Sequence, residues 1–406
     1  MGPPSVAQPH QTVEQLTYIV GSEFVRSSDN GTLIVSPADT QQVSAVLKYA
    51  TKNHLTVSPR GGGTKQSWGR EKAPHIYLSL SRLNRVIEHP WQDLTCTVQA
   101  GCTWSSMQQI LAKHGQFVAL DPLFCDRATI GGILATNDSG ALRQRYGSLR
   151  DLVIGMTLVL PDGTIARTGG KVVKNVAGYD LCKLLTGSFG TLAIITEANF
   201  RLHSLPQYER SFTVTAPKAS HLAPLIAAIR GSHLLTQSLQ LRRSAAEALL
   251  GICLNAHPDA CQDAILVQMA QREGFTLQES SEDVWGKREA LFSDIATVLR
   301  ISTLPTQVCA LADQLQLLRS GLEASSVSQA IGLHDVALSG TPDTITEALR
   351  QLRADSQATV AVLQLGQNID TAAFAIPKPV LSLMQAVKHN FDPDGILNPG
   401  TFFAEA

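Results

Sequence analysis

The residues best suited to chemistry lie in three glycine-rich stretches. In Pro59-Arg60-Gly61-Gly62-Gly63-Thr64-Lys65 three consecutive glycines leave the backbone amides clear of side chains, so that they can converge on an anion such as a pyrophosphate. Arg60 or Lys65 could add charge. The spacing is neither G-x-G-x-x-G nor that of a P-loop, so neither of those nucleotide folds follows. Taken alone, the loop fits a phosphate site and a surface loop about equally. The second stretch, Ala128 to Gly140, combines small residues that allow close backbone approach with hydrogen-bonding groups on Thr129, Asn137 and Ser139. The third, Asn175 to Glu197, contains Gly178-Tyr179-Asp180-Leu181 and Gly187-Ser188-Phe189-Gly190-Thr191-Leu192. Near the end, Phe391-Asp392-Pro393-Asp394-Gly395-Ile396-Leu397-Asn398-Pro399-Gly400 is a run of turn formers.

The elements that must position these stretches alternate. A strand at Thr32–Val35 precedes a helix over Asp39–Asn53, whose apolar Val43, Val46, Leu47 and Ala50 recur at helical spacing; a strand at Thr56–Ser58 then runs into the glycines. Strands are expected at Ile76–Leu80, Thr95–Gln99, Gly155–Leu160, Thr164–Arg167 and Thr191–Thr196, and a helix at Ser105–His114. The character changes near Ser204-Leu205-Pro206. Beyond it come a strand at Tyr208–Thr215, a helix at His221–Ile229 and a strand at Leu234–Leu241. The pattern then continues through Val298–Ser302, Thr306–Leu318, Ser328–Leu338, Asp343–Leu352 and Thr359–Leu365. This reads as two similar α+β halves sharing one antiparallel sheet with helices on one face. A last helix covers Val380–Asn390. The expected division is a tail and lead-in over 1–29, a first domain over 30–205, a second α+β domain over 206–379, and a closing helix and tail over 380–406.

At 406 residues, 44% hydrophobic and 17% charged, the chain is expected to fold compactly, in two domains. Its 33 basic and 34 acidic side chains leave a net charge of −1, which favours neither nucleic acid nor anionic lipid as a partner. Seven cysteines without a C-x-x-C pair read as reduced cysteines of a cytosolic protein, not as ligands of zinc or an iron–sulfur cluster. Met1 to His10 reads as a loose tail and not as a secretory signal. No window approaches the roughly 20 apolar residues of a membrane span, so membrane association would come through a partner.

Together the three stretches, in this order, resemble the FAD-binding domain shared by vanillyl-alcohol oxidase, D-lactate dehydrogenase and glycolate oxidase, the PCMH type. The likeness covers roughly residues 30 to 205. It implies a two-part FAD-binding domain followed by an α+β cap with an antiparallel sheet. It also implies that Arg60, Gly61, Gly62, Gly63 and Thr64 wrap the pyrophosphate. Pro122, Thr129, Gly131, Gly132, Thr136, Asn137, Ser139 and Gly140 would run beside the isoalloxazine and its linker, while Gly190 and Ile194 border the adenine half. Lys174, Asn175 and Tyr179 are further candidates. Some relatives carry a histidine after the first glycines and attach FAD covalently; Thr64 stands there, so the flavin is expected to be non-covalent. Asp138 replaces a commoner alanine and Phe189 a commoner glutamate. The closing run is similar to the signature F-D-P-x-G-I-L-N-P-G, which would return Asn398 to the flavin edge.

Within that group, Trp68-Gly69, Lys171 to Asp180 and Trp285-Gly286-Lys287-Arg288-Glu289 look closest to the FAD-binding E subunits of glycolate oxidase. Such subunits assemble with a catalytic flavoprotein subunit and an iron–sulfur subunit, and a small 2-hydroxy acid is the substrate of the whole complex. For Arg288 the functional reading is a contact to a carboxylate or a partner, but an exposed helical arginine is about twice as common, and Arg288 is not assigned as a site. Catalytic relatives have an H-x-H pair and an H-G-D-G-N-x-H run. Here the second half holds only isolated His221, His233, His257, His334 and His389, which favours an accessory or electron-relaying subunit and leaves the catalytic residues unassigned. The alternatives are a free-standing FAD-dependent glycolate or D-lactate oxidoreductase and, on fold analogy alone, an NADPH-using enolpyruvyl-sugar reductase, against which the closing Leu397-Asn398-Pro399-Gly400 argues.

Overall fold

The computed structural model describes residues 9–28, 30–69, 73–170, 180–255, 257, 261–280, 286–293, 296–318, 321–355, 357–366, 368–369 and 371–401. Its first element is α1 (Pro9–Val20), which places Leu16 and Val20 in the core. The strand β1 (Val25–Ser27) follows and pairs antiparallel with β2 (Leu33–Val35). Within the stretch from Pro9 to Ser27, read above as a tail and lead-in, Leu16 and Val20 are buried in the core of the first sheets and Ile19, Phe24 and Val25 pack against it, while Val13 and Tyr18 stay exposed. Helix α2 (Thr40–Lys52) starts where the Asp39 carboxylate accepts the Gln42 amide, and it buries Val43, Val46, Leu47 and Ala50 as the spacing requires. The strands β3 (Val57–Arg60) and β4 (Ile76–Ser79) complete a sheet of order β1-β2-β4-β3, in which the last three strands run parallel.

A second sheet is formed by β5 (Val86–Glu88), β6 (Thr95–Gln99), β8 (Val153–Val159), β9 (Ile165–Gly169) and β10 (Ile194–Arg201), in the order β5-β6-β10-β8-β9. The strand expected at Thr191–Thr196 thus begins later and extends to Arg201. Two-residue β7 (Gln116–Phe117) pairs with β11 (His203–Ser204). Helices α3 (Trp104–Ala112) and α4 (Ile130–Thr136) connect these strands, with short α5 (Arg143–Tyr146), α6 (Leu149–Leu152) and α7 (Leu181–Leu185) after them. The second glycine-rich stretch is therefore largely helical. One core joins both sheets, drawing on residues from Leu16 to Leu202 and again on Ile396 and Leu397.

From Arg210 the chain builds one eight-stranded sheet. It first lays down β12 (Arg210–Ala216), α8 (Ala219–Arg230), β13 (Thr236–Arg243), β14 (Ala248–Leu254), α9 (Gln262–Arg272) and β15 (Gln278–Glu279). It then repeats the series as β16 (Thr297–Ser302), α10 (Val308–Leu315), β17 (Glu323–Gln329), β18 (Leu333–Ser339), α11 (Pro342–Ala354) and β19 (Thr359–Gln364). The sheet order β15-β12-β14-β13-β17-β18-β16-β19 is that of two βαββαβ units meeting edge to edge through β13 and β17. Every pairing in it is antiparallel. The segment Ser328–Leu338, expected as one strand, is a hairpin turning at Gly332, where φ is 94°. Helix α12 (Lys378–Phe391) then leads back to the first domain, so the fold is α+β throughout.

Candidate functional site

The glycine loop leaves the end of β3 and packs directly on residues 127–129. A Cβ on Gly61 would overlap the Thr129 hydroxyl, and one on Gly62 would overlap the Arg127 carbonyl oxygen. Beside it opens a groove of about 1040 Å³, its solvent mouth included, walled by the loop, by α4 and by the start of β10. Arg60 to Thr64, Thr129, Gly131, Gly132, Thr136, Gly190 and Ile194 all line it. Gly190 sits at φ 66° with Pro59 pressed against the place of a side chain.

Asn398 lines the same groove. The turn that carries it is fixed by Asp392, whose carboxylate accepts the Ile396 and Leu397 amides at 3.1 and 2.8 Å and pairs with Lys388. Residues 396–398 then run beside β3, with Val57 N–H donating to Ile396 and Asn398 N–H to Val57, while the Asn398 amide donates to the Phe189 carbonyl at 2.6 Å. Four expected site residues lie elsewhere. Pro122 holds the Cys125 thiol through its carbonyl, and Asn137 ends α4 in the left-handed region at φ 50°. The chain then turns under the second domain, where the Ser139 carbonyl meets Arg288 and Gly140 packs on Asp121. Lys174, Asn175 and Tyr179 lie outside the described residues. Lys65, offered from sequence as a source of charge, also lines the groove, as do Trp68, Phe189 and Ala193, which were not assigned as cofactor contacts.

A dinucleotide fits these walls. The Thr129 hydroxyl is buried on the groove wall without a hydrogen-bond partner among the described residues, which costs roughly 1–3 kcal/mol unless a ligand meets it. Arg60 and Lys65 line the groove and, among the described residues, no Asp or Glu does, so its field suits phosphate. Residues 32–169 match the family model described as "FAD binding domain". This part of the chain is an FAD-binding domain. Gly190, Ile194 and Asn398 lie outside the matched segment, so the groove takes part of its wall from elsewhere in the chain.

The chain is similar to known oxidases and dehydrogenases across most of its length. It is 28% identical to glycolate oxidase subunit GlcD of Bacillus subtilis (strain 168), covering 97% of this chain and 96% of that one. With the mitochondrial D-lactate dehydrogenase [cytochrome] of Arabidopsis thaliana it shares 27% identity over 91% of this chain and 72% of the other. The fold matches p-cresol methylhydroxylase with substrate bound at a TM-score of 0.75 and 15% identity, covering 98% of both chains.

Behind the flavin groove, the FAD-binding domain meets the cap through buried charge. Asp138 accepts from Arg288 at 3.1 Å and from the Leu123 amide at 2.7 Å, with Lys65 at 3.3 Å and Arg300 at 3.5 Å. Asp335 takes the other side of both arginines, at 3.2 Å from Arg288 and 2.9 Å from Arg300. Arg288 is 0% exposed. The expectation of an exposed helical arginine is thereby corrected, because its carboxylate partners come from distant segments. Although burial opposes it, Arg288, Lys65 and Arg300 hold the Asp138 carboxyl well below the usual range. Aromatic side chains fill the space alongside: Trp68 stacks on Phe292 at 6.0 Å and Phe124 meets Phe292 edge-on at 5.8 Å, packed with Leu123 and Leu363.

None of the five histidines noted in the second half lines the groove. His221, His233, His257 and His389 are exposed. His334 is buried and engaged at both nitrogens, with Ser328 at 2.8 Å and Thr303 at 3.0 Å. Burial pushes its pKa down to about 4, opposed in part by Asp335. His334 is thus neutral in the folded protein, whereas the unfolded chain protonates it below about 6.5. Its contribution to stability is complete above that value and is lost as pH falls toward 4. His334→Gln is expected to remove roughly 2 kcal/mol of the stability difference between pH 7 and pH 5, read by urea unfolding of variant and wild type side by side. The comparison must be paired, because Asp121, pushed up by burial to about 7, works in the opposite direction.

Proposed function

We propose that this chain is the FAD-binding subunit of a glycolate oxidase or dehydrogenase complex that converts 2-hydroxy acids to 2-oxo acids, and that it acts as an accessory or electron-relaying subunit. The division that goes with this reading is an FAD-binding domain to residue 205, a cap over 206–379 and a closing segment from 380. Arg60–Thr64, Thr129, Gly131, Gly132, Thr136, Gly190, Ile194 and Asn398 are the proposed cofactor contacts. The flavin supplies a reversible acceptor for an electron pair. No His, Cys or Tyr is among the described groove-lining residues, which supports non-covalent binding.

The observation that carries the accessory role is the absence, among the described residues lining the groove, of any His, Tyr, Asp or Glu that could take a hydroxyl proton. Trp68, which lines the groove, is itself packed with Leu123, Phe124, Phe292 and Leu363. The resemblance to the Bacillus subtilis and Arabidopsis thaliana proteins supports a 2-hydroxy acid as substrate of the assembled complex. A catalytic flavoprotein and an iron–sulfur protein are the proposed partners. No helix among the described residues is long and apolar enough to cross a membrane; a cytoplasmic location, with any membrane contact made through those partners, is part of the proposal.

The test is anaerobic stopped-flow mixing of the flavin-loaded chain alone with glycolate or D-lactate. Lacking a positioned base, the chain is expected to bleach about 10²–10⁴-fold more slowly than a complete oxidase. Rapid bleaching would establish the free-standing oxidoreductase in its place.

A further inference from the structure

Lys65, Arg288 and Arg300 reach one carboxylate from three separate parts of the chain, and the Leu123 amide completes the set. Two guanidinium forks, an ammonium and a backbone N–H are the donors that recognise a small carboxylate ion. All three cations are largely shut off from water: their side chains are 5%, 0% and 14% exposed. The next carboxylate, Asp121, also feels the Arg288 charge, while its oxygens accept the Ala141 and Leu142 amides. The set also abuts the flavin groove. Lys65 lines it, as does Trp68, over whose ring Lys65 and Arg300 lie at 5.8 and 5.2 Å.

A buried ion pair adds little stability over an apolar one, so joining two domains does not by itself require three cations around a single aspartate. We propose that Lys65, Arg288 and Arg300 form a carboxylate-binding site beside the flavin groove, and that Asp138 is its built-in occupant, closing it to external 2-hydroxy and 2-oxo acids. This rests on the accessory role proposed above and names the substrate group that the chain excludes. Asp138 then does from within what an external acid would do as a ligand.

The experiment titrates formate and acetate, with chloride at equal ionic strength as control, into flavin-loaded wild type, Asp138→Ala and Asp138→Ala/Arg288→Met, and follows melting temperature and heat of binding. Asp138→Ala should melt roughly 5 °C lower and regain at least half of the loss, saturably, in formate but not in chloride. Wild type should not respond. The double variant should be more stable than the single one and bind formate at least about tenfold more weakly. An Asp138→Ala protein indifferent to formate, or a wild type that binds it as well, overturns the proposal. If the single variant does not fold by itself, refolding in formate but not in chloride supports the site, and refolding in neither, while the double variant folds, overturns it. No turnover is needed, so glycolate-driven bleaching of wild type would defeat the accessory role without touching the formate result, and indifference to formate would defeat the site alone.

Discussion

Gly62→Ala is expected to strip the protein of FAD. The added Cβ would overlap the Arg127 carbonyl oxygen, a backbone atom that cannot swing aside like a side-chain tip. The loop must therefore part from residues 127–129, and this is the contact that sets the near wall of the groove. Overpacking of this kind costs roughly 1–3 kcal/mol, which corresponds to about a 5- to 150-fold loss of affinity if it falls wholly on the bound state. Gly132 provides the contrast. A Cβ there meets only the Thr129 hydroxyl, at 3.4 Å, so Gly132→Ala should keep its cofactor. Gly132→Glu sends a charged chain from the groove wall into the groove and should lose FAD while circular dichroism stays that of the wild type. Fluorescence titration of apoprotein with FAD measures all three. Full occupancy in Gly62→Ala would mean that the loop does not hold the cofactor.

Arg288→Met should lower stability by about 3–5 kcal/mol, because it removes one partner from two buried ion pairs at once, that with Asp138 and that with Asp335. For a chain of 406 residues that unfolds as a unit, this is a fall of roughly 4–6 °C in melting temperature. Arg288 touches both domains, through Ser139 and Asp138 on one side and Asp335 on the other, so docking of the cap should weaken first. Limited proteolysis near residues 205–210 should accelerate accordingly. Removing Asp138 as well takes out the stranded charge, so the double variant should recover most of the loss. Added salt should change the wild type little, since the pair lies out of reach of solvent ions. A loss below about 1 kcal/mol would show that water reaches the cluster.

Much of this protein is written locally. Helix α2 follows from Asp39 and the spacing of Val43, Val46, Leu47 and Ala50, and the first loop follows from three glycines in a row; each signal lies within one turn or one bend of chain. The turn at Phe391–Gly400 is local as well, for Asp392 fixes it through the amides of Ile396 and Leu397. Helix α4 was hidden because Gly131 and Gly132 are poor helix formers, and packing on Ala100 and on the glycine loop keeps it helical. The hairpin around Gly332 was hidden because two strands of similar alternation run through a single glycine. Arg288 was misread for a deeper reason. Its neighbours Lys287 and Glu289 are polar, so the local pattern says surface, while Asp138 stands 150 residues earlier and Asp335 47 residues later. What the sequence determined by itself is the set of elements and the flavin-type loops, because propensity, periodicity and turn chemistry act over a few residues. Only the tertiary structure decided which charges face each other without water, because burial and dielectric at one point depend on every segment that the fold brings there.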